Sequence, residues 1–443
     1  VEYIRYLGSL GQAAEEFGFW QYEDYPFLCR YNIERGTYFL ASCLLAMPGH
    51  RIYPEIYTTS IQGCPDGAVF YAHPPFGYHP VNPPIRIKRR FMDYYYGSAH
   101  FTGDSFKFWE KRGFQACRFD RERYEALLRA AAVVNDNPAK RPLKCAAFVF
   151  SEESWQAAER VLAKSTPHGI VDIRKTATEC VPYAYEMARY AGLQAGFVTM
   201  IESVGKLDPA QVDTLVLPPL KGVSKPCLDA IRRLHAQGVN LLAFENVPGL
   251  EDLFGVKDTG AFARIENLKA SDSFLGGMTE TCEEPLCEGS YAVDGAEVLI
   301  NSEIPVLTLR RNNGAQAAFY NVPPTLVRGD QLHKAADDYG KDSISRLINA
   351  ATARIMTMFS DAGVSTTAGR LTGSETLGGG IMVTVGNPDE KSHITPTVTI
   401  RKLGAEQALY SSDMPCTVLS DSGDKLALRV NIPAEETAVI VVQ

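Results

Sequence analysis

The chain has 443 residues, 45% of them hydrophobic and 22% charged, and carries a formal net charge of -8. At roughly 100 to 200 residues per domain this length predicts about two to four domains. Acids and bases mix along the whole chain, which argues against the basic face of a nucleic-acid binder, and no run of about 18 apolar residues is present to form a membrane-spanning helix.

The first 136 residues alternate. A helix is predicted over Tyr3–Phe17, a strand over Phe19–Tyr25, a helix over Tyr38–Ala46 and a strand over Arg51–Tyr57. A long loop, Thr58–Pro84, rich in Gly, Pro, Tyr and His, comes next. It leads into the basic start Arg86–Arg90 (RIKRR) of a helix over Ile85–Tyr95, a strand over Phe106–Trp109 and a helix over Arg121–Val134. Three such strands cannot bury an independent core. They read as the last βα units of an eight-fold (β/α) barrel, with the earlier units expected upstream of Val1.

Residues 143–362 read as an α/β domain. Apolar runs at Lys144–Ser151, Ala195–Ile201, Thr214–Leu217 and Val239–Phe244 alternate with helices at Glu153–Ala163, Thr176–Ala191 and Lys225–Gln237, with Gly169–Arg174 as a short extended segment. Gly238 is placed to end the third helix. Continuous apolar strands predict a parallel sheet covered on both faces. Tyr291–Arg310 and Ala317–Asn321 read as later strands, and a helix over Ser343–Phe359 closes the domain.

From residue 364 to 443 the pattern changes to short strands separated by turns. Ile381–Gly386, Thr395–Arg401, Lys425–Ile432 and Thr437–Val442 are the clearest of them. This spacing predicts a small antiparallel β-sandwich.

Barrel enzymes carry their chemistry at the carboxyl ends of the strands. The three strands of the first segment offer Glu23-Asp24-Tyr25-Pro26, Tyr53-Pro54-Glu55-Ile56-Tyr57, and Trp109-Glu110. A retaining glycosidase needs two carboxyl groups about 5 to 5.5 Å apart, one as nucleophile and one as acid/base. Glu55, flanked by tyrosines, suits the nucleophile, and the alternative is a salt-bridged carboxylate on the strand rim. Trp109 suits stacking on a sugar ring or plain core packing. Asp24 and Tyr25 at the first strand end, Tyr57, and His73 in the long loop complete the candidate sugar-binding set. No cofactor or metal is expected: no glycine-rich nucleotide fingerprint, P-loop or GxSxG elbow is present, and the histidines lack ligand spacing. The ten cysteines are scattered without a CxxC pair, which points to a reducing compartment and so to the cytoplasm.

The middle segment resembles the class I glutamine amidotransferase fold, in whose active members a cysteine sits at a strand-to-helix elbow. Here Thr214–Leu217 runs into Pro218-Pro219, and Cys227 falls inside the next helix. The order of parts resembles the carboxyl-terminal region of family 42 type β-galactosidases. Asp24-Tyr25-Pro26 is similar to the end of the sixth barrel strand of those enzymes, and Glu55 falls where their seventh-strand nucleophile stands. Pro54 and Ile56-Tyr57 depart from the β-galactosidase pattern. The resemblance implies a retaining glycoside hydrolase with a carbohydrate substrate, an amidotransferase-like domain without amidase activity, and a homotrimer. The clan's acid/base glutamate would lie upstream, so the isolated chain is expected to be inactive. A second reading stays open: a non-catalytic carbohydrate-binding or oligomer-assembly module.

Overall fold

A computed structural model describes residues 19–23, 51–56 and 107–108 of the first segment and, with short gaps, most of residues 128–443. The longest stretches outside it are 1–18, 24–50, 57–106, 109–127 and 323–345. The helices expected over Tyr3–Phe17, Tyr38–Ala46 and Ile85–Tyr95 and the loop Thr58–Pro84 therefore lie outside the described residues. The chain divides into two compact units: residues 144–188 with 198–361, and the remainder.

In the first segment, β1 (Phe19–Glu23), β2 (Arg51–Ile56) and β3 (Lys107–Phe108) form a three-stranded parallel sheet with β2 in the middle. The three fall where the aromatic and apolar runs predict strands. No closed barrel is formed by the described residues.

The next strand, β4 (Ala139–Pro142), belongs to the sandwich taken up below. The α/β unit is built on nine strands: β5 (Cys145–Phe150), β6 (Phe197–Met200), β7 (Val212–Leu217), β8 (Asn240–Phe244), β9 (Ala263–Ala270), β10 (Thr279–Glu288), β11 (Glu297–Asn301), β12 (Pro305–Asn312) and β13 (Ala315–Tyr320). Their order is β10-β9-β11-β12-β13-β8-β7-β5-β6. Neighbours from β13 through β8 and β7 to β5 run parallel. From β13 outward through β12, β11, β9 and β10 every pairing is antiparallel. The sheet is thus mixed, and the expectation of an all-parallel sheet is corrected. The switch has a local cause: Asn312 pairs with Ala315 across Asn313-Gly314, and Gly314 has φ +90°. An Asn-Gly pair is the strongest short signal for a two-residue hairpin turn. The extended segment expected at Gly169 is a strand, Gly169–Val171, which pairs antiparallel with Lys164–Thr166 in a separate two-stranded ribbon.

Burial follows the pairing. Strands β5, β7 and β8 are buried almost throughout, whereas β9 alternates between buried Ile265, Leu268 and Ala270 and solvated neighbours. Parallel strands between helix layers demand apolar residues on both faces, and antiparallel strands tolerate water on one.

Helix α1 (Lys225–Ala236) places Cys227, Ala230, Ile231, Leu234 and His235 on its buried stripe. Gly238 stands past its end with φ +96°, where a side chain would be strained. Helix α2 (Arg346–Phe359) buries Leu347, Ile348, Ala351, Thr352, Ile355, Met356 and Phe359, a stripe of helical period. Its first amides, Arg346 N and Leu347 N, donate to the Glu280 carboxylate at 3.1 and 2.7 Å. A carboxylate there satisfies orphan donors and complements the positive end of the helix dipole. At the other end Asn240 Nδ2 donates to Phe359 O at 3.1 Å, and Asp361 N donates to Asp213 Oδ2 at 2.9 Å. Asp213 is 4% exposed, and burial pushes its carboxyl up to about 6. His235 bonds Val239 O through Nδ1 at 2.9 Å and Asn312 Nδ2 through Nε2 at 2.8 Å. A carbonyl only accepts, so Nδ1 carries the proton and Nε2 accepts from the amide. Burial pushes this imidazole's pKa down and keeps the ring neutral.

The sandwich packs a four-stranded sheet against a five-stranded one. Its strands are β14 (Val364–Thr366), β15 (Arg370–Thr376), β16 (Ile381–Gly386), β17 (Thr397–Arg401), β18 (Tyr410–Ser412), β19 (Cys416–Ser422), β20 (Lys425–Val430) and β21 (Thr437–Val442). The sheets run β14-β17-β20-β19 and β18-β21-β16-β15-β4. Leu371, Val383, Val385, Ile440, Val398, Ile400, Leu426 and Leu428 share one core, all 0% exposed. The antiparallel strands expected from turn spacing are present. Two further pieces were not expected from the sequence. Strand β4 pairs with β15, where Arg141 also binds Glu375 at 2.7 Å. The short segment 192–194 bridges Ser365 and Leu371, and Gln194 Nε2 donates to Gly373 O at 2.8 Å. Gly192 has φ +71°, and a Cβ there would lie 2.0 Å from Thr366 O, so only glycine fits.

Candidate functional site

Two sheet edges in this chain are of the kind that carries chemistry: the carboxyl ends of β1–β3 and those of the parallel strands of the α/β unit. At the first, Glu55 is the penultimate residue of the central strand β2. In Cα register it stands opposite Glu23 on β1 and Lys107 on β3. The backbone thus sets an acid and a base on the strands at either side of Glu55, all at one level of the sheet. Asp24, Tyr25, Tyr57, His73 and Trp109 lie outside the described residues. Of the predicted set, the structure places Glu55 alone, on its strand.

The second edge is described in full atomic detail. Strand β8 ends at Phe244, and the next residue, Glu245, has φ +59°, the one non-glycine residue in the left-handed region among the described residues. That conformation costs an L-residue on the order of 1–3 kcal/mol and persists where the surroundings enforce it. Here Glu245 N donates to Tyr320 O at 2.7 Å, Asn246 N donates to Phe244 O at 2.6 Å, and Leu220 N donates to Asn246 O at 2.9 Å. Asn321, just past β13, donates through Nδ2 to Tyr291 O and Pro305 O and accepts from Tyr291 N. Val247 N donates to the Tyr291 hydroxyl at 3.3 Å, and burial pushes that phenol up to about 12. The result is a rigid strand-to-turn elbow bearing a carboxylate that is 6% exposed. Sequence reasoning missed it. The available signal was a charged residue directly after a buried strand and before Asn246-Val247-Pro248-Gly249.

The cysteines stand elsewhere. Cys227 lies in the first turn of α1, where Ser224 Oγ donates to its Sγ at 3.3 Å. Burial pushes this thiol up, and the nearby Glu202 and Glu153 carboxylates push it the same way. A thiol held protonated is a poor nucleophile. Cys180 is fully buried. Glu245 thus occupies the elbow, and no cysteine shares that turn. Among the described residues no three His, Cys, Asp or Glu side chains are grouped to hold a metal ion, and no helix is long and apolar enough to cross a membrane.

Comparison with known proteins gives a fold. No protein-family model and no curated protein sequence matches the chain. Among solved structures it is similar to the β-galactosidase of Bacillus circulans sp. alkalophilus, with 14% identity, a TM-score of 0.63 and coverage of 98% of this chain and 61% of that one. Gan42B, a GH42 β-galactosidase, aligns at 13% identity and a TM-score of 0.56, over 97% of this chain and 60% of the other. The α-L-fucosidase isoenzyme 2 of Paenibacillus thiaminolyticus aligns at 13% identity and a TM-score of 0.59, over 96% and 65%. The chain therefore has a mixed α/β, sheet-rich fold of the glycoside hydrolase type, and it spans about three fifths of the length of the structures it matches.

Proposed function

We propose that this protein is a retaining glycoside hydrolase that cleaves an O-glycosidic bond. In this reading a carboxylate oxygen of Glu55 attacks the anomeric carbon. The glycosidic oxygen leaves with a proton from a second carboxyl group, and water then displaces Glu55 from the glycosyl-enzyme. Tyr25 and Tyr57 hydrogen-bond the nucleophile, Trp109 stacks on the sugar ring, and Asp24 and His73 take its hydroxyls. The α/β unit is amidotransferase-like in form, without amidase chemistry, and joins subunits into a trimer. The scattered cysteines favour the cytoplasm. The observation that carries the reading is the position of Glu55 near the carboxyl end of the central strand of a parallel sheet, in a chain whose fold matches glycosidases along nearly its full length.

The test is trapping with 2-deoxy-2-fluoro-glycosyl fluorides of the galacto, gluco and fuco series. Fluoride leaves without strong help from a general acid, so the first step reports on the nucleophile alone. Peptide mapping of the treated protein is expected to find the sugar on Glu55, with no label on Glu55→Gln. A label on another carboxylate, or none with any of the three sugars, removes the assignment.

The alternative, an assembly module, would be favoured by a long apolar surface over the α/β unit, away from Glu55. Among the described residues of that unit, the large apolar side chains that are exposed are Met278 and Val293, at 37% and 36%. Among the described residues, more strongly exposed ones, Leu377 and Leu409, belong to the sandwich unit.

A further inference from the structure

The antiparallel part of the nine-stranded sheet contains a groove unrelated to either strand edge discussed above. Strands β9 and β11 pair only at Lys269 with Asn301 and Ala270 with Ile300. Upstream, β9 carries a bulge between Ile265 and Asn267. A bulge bends its strand and increases the local twist. Over this paired stretch and the turn after each strand lies a cavity of about 600 Å³, with the paired Lys269, Ala270 and Asn301 in its lining. That volume falls within the range of about 300–1,000 Å³ usual for small-ligand sites.

The lining is chemically selective. Asn267, Asn301, Ser271 and Ser302 supply amide and hydroxyl groups that both donate and accept. Thr281 Oγ1 donates to Asn267 Oδ1 at 3.0 Å, which fixes that amide and leaves its NH2 group for a ligand. The half-buried Val298 contributes apolar surface. Lys269 and Glu303 bring opposite charges, and neither has an ion-pair partner among the described residues. The balanced charge gives no preference for an anion or a cation. Neutral groups that donate and accept, beside a patch of C–H surface, match a pyranose, whose hydroxyls do both and whose ring presents an apolar face.

The geometry points to a saccharide-binding groove between β9 and β11, separate from Glu55 and without catalytic function. The assignment rests on the lining alone and does not depend on the nucleophile. The test is affinity gel electrophoresis of the full chain through β-1,4-galactan, xylan and mannan. Three proteins are run: wild type, Glu55→Gln, and the double variant Lys269→Ala/Asn301→Ala. Both groove side chains are exposed, and an unchanged melting temperature verifies that the double variant is folded. The expected result is retardation of wild type and Glu55→Gln by at least one polysaccharide, with apparent affinity reduced about tenfold or more in the groove variant. Equal retardation of all three proteins overturns the groove, as does free migration of wild type in all three gels. Either failure leaves the labelling of Glu55 unaffected, so the two proposals stand or fall separately.

Discussion

The two halves of the nine-stranded sheet solve the same packing problem in opposite ways. In the parallel half, β5, β7 and β8 lie between layers and are buried on both faces, and the chain answers with unbroken apolar runs such as Leu241-Leu242-Ala243-Phe244. In the antiparallel half, β9 and β11 keep charged or polar residues on one face, and a groove lies over them. The first half supplies stability and leaves little room for a ligand. The second tolerates a bulge in β9 and polar side chains over the groove.

The sharpest way to break this contrast is to truncate equivalent leucines in the two halves. Leu242→Ala, in a strand enclosed on both faces, is expected to cost about 3–5 kcal/mol. Leu268→Ala on β9, whose other face is wet, is expected to cost about 2–3 kcal/mol, because the surroundings collapse more readily. Urea unfolding measures both, and equal costs would erase the distinction.

The next effect depends on pH. Asp213 at the start of β7 has its carboxyl raised to about 6 by burial, against an ordinary value near 3.8. The fold therefore favours the protonated form. Its contribution is complete at low pH and is lost as pH rises from about 4 through about 6. Asp213→Asn keeps an acceptor for Asp361 N and removes the buried charge. It is expected to stabilise the unit by about 3 kcal/mol at pH 7.5 and by almost nothing at pH 4. Melting curves at the two pH values check this, and a difference that does not grow with pH contradicts it.

The smallest effect lies on the wet face. Arg311 donates to Glu297 at 2.6 Å, with the side chains 62% and 40% exposed. Solvent screening reduces such a pair to about 0–1 kcal/mol. A double-mutant cycle on Arg311→Ala and Glu297→Ala is expected to return a coupling below about 1 kcal/mol, with most of it gone at high salt.

The same contrast explains what the sequence revealed. Two-sided burial leaves an apolar run that needs no partner to be recognised, so β5, β7 and β8 and helices α1 and α2 could be read directly. Strand β9, Ala263–Ala270, mixes Arg264, Glu266, Asn267 and Lys269 with three buried residues, and its alternation is weak without the neighbouring β10. The hairpin turn at Asn313-Gly314 was legible in principle, but the parallel pattern upstream suggested a different continuation. At the candidate sites, the strand bearing Glu55 was visible from its aromatic and apolar residues. Glu245 was not, because a left-handed glutamate carries no compositional mark: the hydrogen bonds that hold its turn, from Glu245 N to Tyr320 O and from Leu220 N to Asn246 O, join residues distant in sequence.

The sandwich also imposes an order on synthesis. Strand β4 emerges from the ribosome long before its partner β15, since Arg141 and Glu375 are 234 positions apart. The edge of the five-stranded sheet therefore waits, unpaired, while the whole α/β unit is translated. Strand β21 (Thr437–Val442), between β18 and β16 in the same sheet, is made later still. Contacts so distant in sequence form slowly, and an unpaired strand is exposed to wrong partners meanwhile. A nascent chain halted before Thr437 would hold a sandwich lacking the strand between β18 and β16, so the five-stranded sheet closes only once this six-residue strand has been made.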